Sequence, residues 1–219
     1  MTDREKWRAK MMVDARLRTR IVDRTLTHLE GAAPGSRAFL RGSLADGSAD
    51  EYSDIDMLWE IPDPLFKSCV ENLEEILLDI HPVESLRSHP DFQESDKRRL
   101  VFVRFEGIPL FWRLDLDIFA QSVGGDSEYG LKDPKAWGSE WSLTESSLMN
   151  AVAAVKAHLR GKDDDAMQLL ERAYERVGLD LPNLELKELI LELAHSVQLM
   201  DPKLTALAER IEGLVREAF

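Results

Sequence analysis

Ten residues separate Gly42-Ser43 from Asp54, and Asp56 follows Asp54 at the second position. A glycine lets backbone amides come close to a ligand. A serine hydroxyl beside such amides can hydrogen-bond phosphate oxygens. Asp54 and Asp56 lie in the run Asp54-Ile55-Asp56-Met57-Leu58-Trp59-Glu60-Ile61, which begins as polar–apolar alternation and stops at Pro62. On a strand, residues two apart share a face, so both carboxylates point the same way. Two neighbouring carboxylates repel, and partial burial makes the repulsion worse. A hard divalent cation relieves it. Mg²⁺ takes oxygen ligands from one or two carboxylates plus substrate phosphates. Two such ions, about 3.5–4 Å apart, can clamp the attacking and leaving oxygens of an in-line phosphoryl displacement.

A third carboxylate is expected from a neighbouring strand. Arg113-Leu114-Asp115-Leu116-Asp117-Ile118 offers two. Leu114, Leu116 and Ile118 share one face; Asp115 and Asp117 share the other. Either aspartate could join Asp54 and Asp56.

The elements that must position these groups are legible around them. Residues ~5–30 read as a helix, with Val13, Leu17, Ile21, Val22, Leu26 and Leu29 near helical spacing, ended by Gly31–Gly35. Arg37–Gly42 reads as a short strand entering a Gly-Ser turn, and Asp54–Ile61 as a strand with one buried face. Residues ~64–80 read as one amphipathic helix. Strands follow at Val83–Arg87, Arg99–Phe105 and Phe111–Phe119, the last two joined by a hairpin turn at Glu106-Gly107-Ile108-Pro109. The glycine- and proline-bearing stretch 121–138 reads as a linker. Beyond it the period becomes helical, with helices at ~143–160, ~163–177, ~184–199 and ~202–217. Gly161 and Gly178 sit where helices close, and Asp163 and Asp201 where caps belong. The predicted organisation is an α/β (α+β) domain on a mixed sheet over residues 1–120, the linker, and an all-α helical bundle over 139–219.

The pattern Gly-Ser, ten residues, Asp-x-Asp and a later acidic strand resembles the DNA polymerase β-type nucleotidyltransferase superfamily. It is most similar to the minimal domains of antibiotic-modifying nucleotidyltransferases and their relatives. The motif similarity spans residues ~36–119. The helical second half is similar to the acceptor-side domain of the aminoglycoside nucleotidyltransferases in general character alone. The resemblance implies that Gly42 and Ser43 hold a triphosphate. It implies that Asp54 and Asp56 bind two Mg²⁺ ions, and that a third carboxylate binds the ion activating the acceptor. That role goes to Asp115, whose context Arg-Leu-Asp-Leu is the nearer to the family's usual strand, with Asp117 close behind. The implied co-substrate is an NTP, taken as ATP, and the implied acceptor a small hydroxylated molecule such as an aminoglycoside-like antibiotic. Modification of a protein side chain, or a non-catalytic nucleotide-binding module, are the alternatives. One departure is that relatives often carry a basic residue where this chain has Asp46.

Composition narrows the partners. The 219 residues carry a net charge of −13, which disfavours long nucleic acid; it would suit a cationic small substrate but reads more simply as acidity for solubility. No apolar run approaches a membrane span, and the N-terminal MTDREKWRAK has no apolar signal core. One cysteine, Cys69, allows no disulfide within the chain and fits a reducing cytoplasm. Cys69 lies at helical spacing among leucines and reads as a buried hydrophobe. Glu140 and Glu145, beside Trp137 and Trp141, could supply a general base but read more simply as acidic residues at a helix start. Asp163-Asp164-Asp165 reads as capping and dipole complementarity. The five histidines form no closely spaced ligand pair, and no Walker loop or dinucleotide fingerprint is present.

Overall fold

A computed structural model describes the backbone of residues 3–124, 126 and 128–219, with side chains from residue 16 onward. The side chain of Val13 in the predicted helical stripe, and Gly125 of the predicted linker, lie outside this description. The chain is an α/β unit on a mixed five-stranded sheet, followed by a helical region. Packing of the Cα trace separates residues 10–141 from residues 142–219 and the first turns of the opening helix. The two units are described separately.

In the α/β unit the elements run α1 (Asp3–Ala32), β1 (Arg37–Leu40), α2 (Gly42–Asp46), β2 (Ile55–Ile61), α3 (Asp63–Glu71), α4 (Leu73–Leu78), β3 (Val83–Ser88), β4 (Arg98–Phe105) and β5 (Leu114–Ala120). The sheet order is β1-β2-β5-β4-β3. β2 and β5 run parallel, and the other pairs are antiparallel. A parallel neighbour needs a crossover, and the chain between β2 and β5 supplies one through α3, α4, β3 and β4. Alternation sorts the faces. Ile55, Met57, Trp59 and Ile61 of β2 and Leu114, Leu116 and Ile118 of β5 are all sealed from solvent. α3 packs on β5 and α4 on β3. In α1, Ile21, Val22, Thr25 and Leu29 are buried. Arg24 reaches across to donate to the Asp79 carbonyl at 2.6 Å.

Three predicted elements differ in detail. The helix expected over ~64–80 is interrupted at Asn72, whose backbone departs from helical geometry at φ −99 and ψ 12 and whose side-chain amide donates to the Ser68 carbonyl at 2.9 Å. The Gly-Ser turn opens α2, a short helix that starts at Gly42 and stops at Gly47 in the left-handed region. The Glu106–Pro109 hairpin is longer than expected. Pro109 cannot donate to the ladder, and a 3-10 turn over Leu110–Trp112 follows, so β5 begins at Leu114. The Trp112 indole donates to the Glu51 carbonyl at 2.9 Å, which draws this turn away from the sheet ladder.

The stretch read as a linker is laced to the loop before β4. Glu94 N–H donates to the Ala136 carbonyl at 2.9 Å, and Gly138 N–H to that of Pro90 at 2.7 Å. Gln93 brackets Glu140, donating to its carbonyl and accepting from its N–H. A side chain at Gly138 would run into Gln93, so only glycine fits there.

The helical unit holds α5 (Leu143–Leu159), α6 (Asp163–Arg176), α7 (Leu186–Met200) and α8 (Thr205–Ala218). α5 packs against the other three. Its small inner residues Ala151 and Ala154 are fully buried, alongside Leu170, Leu193 and Ile211 of the partner helices. Ser142 caps α5 by accepting the Glu145 N–H at 3.0 Å. Gly161 and Gly178 follow α5 and α6 with positive φ, as their positions in the sequence predict. Among the described residues, no helix is long and apolar enough to cross a membrane.

Candidate functional site

The ten-residue spacer between Ser43 and Asp54 is a built loop. Asp46 accepts from both the N–H and the hydroxyl of Ser48, at 2.9 and 2.6 Å. Asp46 thus shapes the loop. Ala49 N–H closes back on the Ser43 carbonyl at 3.0 Å. Asp50 accepts from Tyr52 N–H and the Ser53 hydroxyl. Arg18 of α1 donates to the carbonyls of Asp50 and Ser53 at 2.7 and 3.1 Å and lies over the Trp112 ring. Tyr52 meets Phe111 edge-on at 5.5 Å. One buried aromatic cluster therefore anchors the segment entering β2 and the segment entering β5.

Register does the rest. Asp56 is the partner of Asp115 on the parallel β2–β5 pair, and Asp117 is the partner of Leu58. Partners on adjacent strands share a face, about 4.8 Å apart. Ile55 N–H donates to the Arg113 carbonyl at 2.9 Å, which sets Asp54 beside Arg113. Arg41 N–H donates to the Asp56 carbonyl at 2.8 Å and pins the start of α2 to β2. Gly42 has φ +57, and a Cβ there would lie 2.6 Å from Oδ2 of Asp56. The Asp56 carboxylate thus rests against Gly42 in a space that no other residue would leave. Gly42 meets Asp56, and Asp56 faces Asp115 across the strand pair; Asp54 lies just before β2 beside Arg113, and Ser43 follows Gly42 in the first turn of α2.

Asp117 lies farther along β5 and has a different setting. Arg98 grips it with both Nε and a terminal nitrogen, at 3.1 and 3.0 Å, and also donates to the Tyr129 carbonyl. The guanidinium lies over the rings of Phe92 and Phe119. Arg41 approaches the same carboxylate at 3.6 Å. Burial pushes the Asp117 carboxyl above its ordinary range, and the Arg98 and Arg41 charges oppose that shift. Asp117 is a structural anchor between β4 and β5.

Asp115 is held as well. Arg113 donates to its two carboxylate oxygens through Nε and a terminal nitrogen, both at 2.5 Å. The guanidinium lies over the Phe102 ring at 4.7 Å. Burial alone would lower the Arg113 pKa. The charge and hydrogen bonds of Asp115, then the charges of Asp54 and Asp56, outweigh burial and hold it above its ordinary value. Arg113 is in contact with Asp115 and feels the charge of Asp54 and Asp56.

The donor set fits a hard divalent ion in part. Asp54 and Asp56 are two oxygen donors beside a glycine-lined space, and their electrostatics call for a cation. As the side chains lie, however, both oxygens of Asp115 go to Arg113. Among the described residues, no three of His, Cys, Asp and Glu stand in an arrangement that would hold a metal ion. Arg113, Arg98 and Arg18 were not singled out from the sequence. The Arg-Leu-Asp-Leu-Asp alternation carried the signal for Arg113, because it sets Arg113 on the same face as Asp115.

The remaining candidates are structural. Glu145 is buried in the first turn of α5, and Glu140 is exposed with its backbone tied to Gln93. Asp163 opens α6 and meets Nδ1 of His158 at 2.7 Å. Cys69 is a buried free thiol whose pKa is raised by burial.

No protein-family model matches the chain. No curated protein matches it in sequence. The solved structure of a GLD-2/RNP-8 complex aligns over 84% of this chain and 76% of that chain, at a TM-score of 0.34 and 13% identity. A likeness that loose bears on neither fold nor chemistry.

Two substitutions separate the roles. Gly42→Ala should lower stability by about 1–2 kcal/mol in denaturant unfolding, from the positive φ and the collision with Asp56. Asp117→Asn should lose about 3 kcal/mol or more, because Arg98 is left with its buried charge uncompensated.

Proposed function

We propose that the chain is a metal-dependent nucleotidyltransferase that moves a nucleoside monophosphate from an NTP, taken as ATP, to a hydroxyl of a small acceptor. The observation that supports this reading is the contact of Gly42 with Asp56, whose register partner on the parallel strand is Asp115. A structural acidic strand would not require a glycine at the contact with Asp56. The net charge of −13 favours a cationic acceptor of the aminoglycoside class over long nucleic acid.

In this reading the acceptor hydroxyl attacks the α-phosphorus. The bond from that phosphorus to the bridging oxygen breaks, and pyrophosphate leaves. Gly42 and Ser43 hold the triphosphate through backbone amides and the serine hydroxyl. Asp54 and Asp56 orient the reacting end, and the laced loop 46–53 keeps their spacing from Ser43. Asp115 lies on the acceptor side, beside Phe102 and Arg113. Mg²⁺, held by Asp54, Asp56 and an Asp115 released from Arg113, would neutralise the phosphate charge and make the acceptor hydroxyl easier to deprotonate. Catalysis is then mostly positioning and charge neutralisation.

The second reading is a non-catalytic nucleotide-binding module, favoured by the Arg113–Asp115 pair. Transfer of label from α-labelled ATP with Mg²⁺ across a panel of hydroxylated acceptors separates the two. Asp56→Asn should cut transfer by about 100-fold or more. Transfer that persists in that variant defeats the mechanism. Nucleotide binding with no transfer to any acceptor supports the module instead.

A further inference from the structure

The polar face of the β2–β5 pair already contains a cation. Arg113 sits at the end of the 3-10 turn, with its backbone fixed. Its carbonyl accepts from Ile55, and the neighbouring Trp112 is tied to Glu51 and lies under Arg18. Its guanidinium makes the fork-to-fork pair with Asp115 and rests on Phe102. Asp54 and Asp56 add their charge to the same group. The side chains of Arg113 and Asp115 remain about one-fifth exposed, at 21% and 18%, so the pair is within reach of solvent ions.

We propose that Arg113 is a built-in counter-ion that competes with divalent metal for Asp115, so that the closed Arg113–Asp115 pair and a metal held by Asp115 exclude each other. This rests on the reading of Asp54, Asp56 and Asp115 as metal ligands. The physical argument is substitution. Without metal, the carboxylates of adjacent strands need a positive charge, and Arg113 provides it. An ion that uses Asp115 must first displace two charge-assisted hydrogen bonds. Arg113 therefore weakens metal binding while it keeps the metal-free strands from repelling.

Calorimetric titration of Mn²⁺ into the intact chain, Arg113→Gln, and Arg113→Gln with Asp56→Asn tests this. Arg113→Gln should bind Mn²⁺ about tenfold tighter than the parent, the equivalent of losing one charge-assisted contact. Adding Asp56→Asn should abolish the binding. Affinity equal to or weaker than the parent's, with Asp56→Asn still abolishing it, overturns the competition and leaves the metal site standing. Absence of Mn²⁺ binding in both the parent and Arg113→Gln overturns the metal site and the competition together. If Arg113→Gln does not fold, the parent decides by nuclear magnetic resonance, with the Arg113 Nε–H signal assigned by its loss in Arg113→Lys. That signal should move along the Mg²⁺ binding curve, and a signal unmoved at saturating Mg²⁺ overturns the proposal.

Discussion

Like charges on one face of a parallel strand pair are the constraint around which the α/β unit is arranged. Asp56 and Asp115 are register partners on β2 and β5, and Asp54 precedes Asp56 by two positions. The opposite face of the same strands is sealed apolar core, which leaves no freedom to slip the register by one residue. A slip would bury the carboxylates and expose Ile55, Met57, Leu114 and Leu116. The core thus holds the carboxylates together, and the carboxylates require a cation. Arg113 supplies a positive charge to Asp115.

The second acidic position shows how the same residue type takes a different role two residues away. Asp115 faces the partly open end of the strand pair and is gripped by a local arginine. Asp117 faces Leu58 and is gripped by Arg98, whose side chain is only 6% exposed and sandwiched between aromatic rings. Desolvation around Asp117 is strong enough that its pairing reads as architecture. The loop 46–53 and the Trp112 turn then act as spacers, with Arg18 of α1 joining them.

Much of this was legible in the chain itself. Alternation located β2 and β5 and assigned the faces of Asp54, Asp56, Asp115 and Asp117. The glycines at 161 and 178 marked helix ends. What was not legible depended on contacts distant in sequence. Asn72 interrupts a periodic helix by a local turn in its backbone that periodicity cannot register. The β5 start was misplaced because Phe111 and Trp112 look like strand residues, while the partner of the Trp112 indole lies at Glu51. Strand order makes Asp115, not Asp117, the register partner of Asp56, and the arginines that pair with them at 113 and 98 became visible only once that order was known. Asp46 departs from the related pattern, and its hydrogen bonds to Ser48 account for it locally.

The central claim is that the carboxylates beside Gly42 form a divalent-cation site. Anomalous scattering from a crystal of the chain grown with Mn²⁺ and a non-hydrolysable ATP analogue tests it directly. The account predicts a manganese peak between Asp54 and Asp56 beside Gly42 and Ser43, with the Arg113 side chain turned off Asp115. Nucleotide bound elsewhere, or ordered carboxylates with no manganese between them and Arg113 still on Asp115, would contradict it.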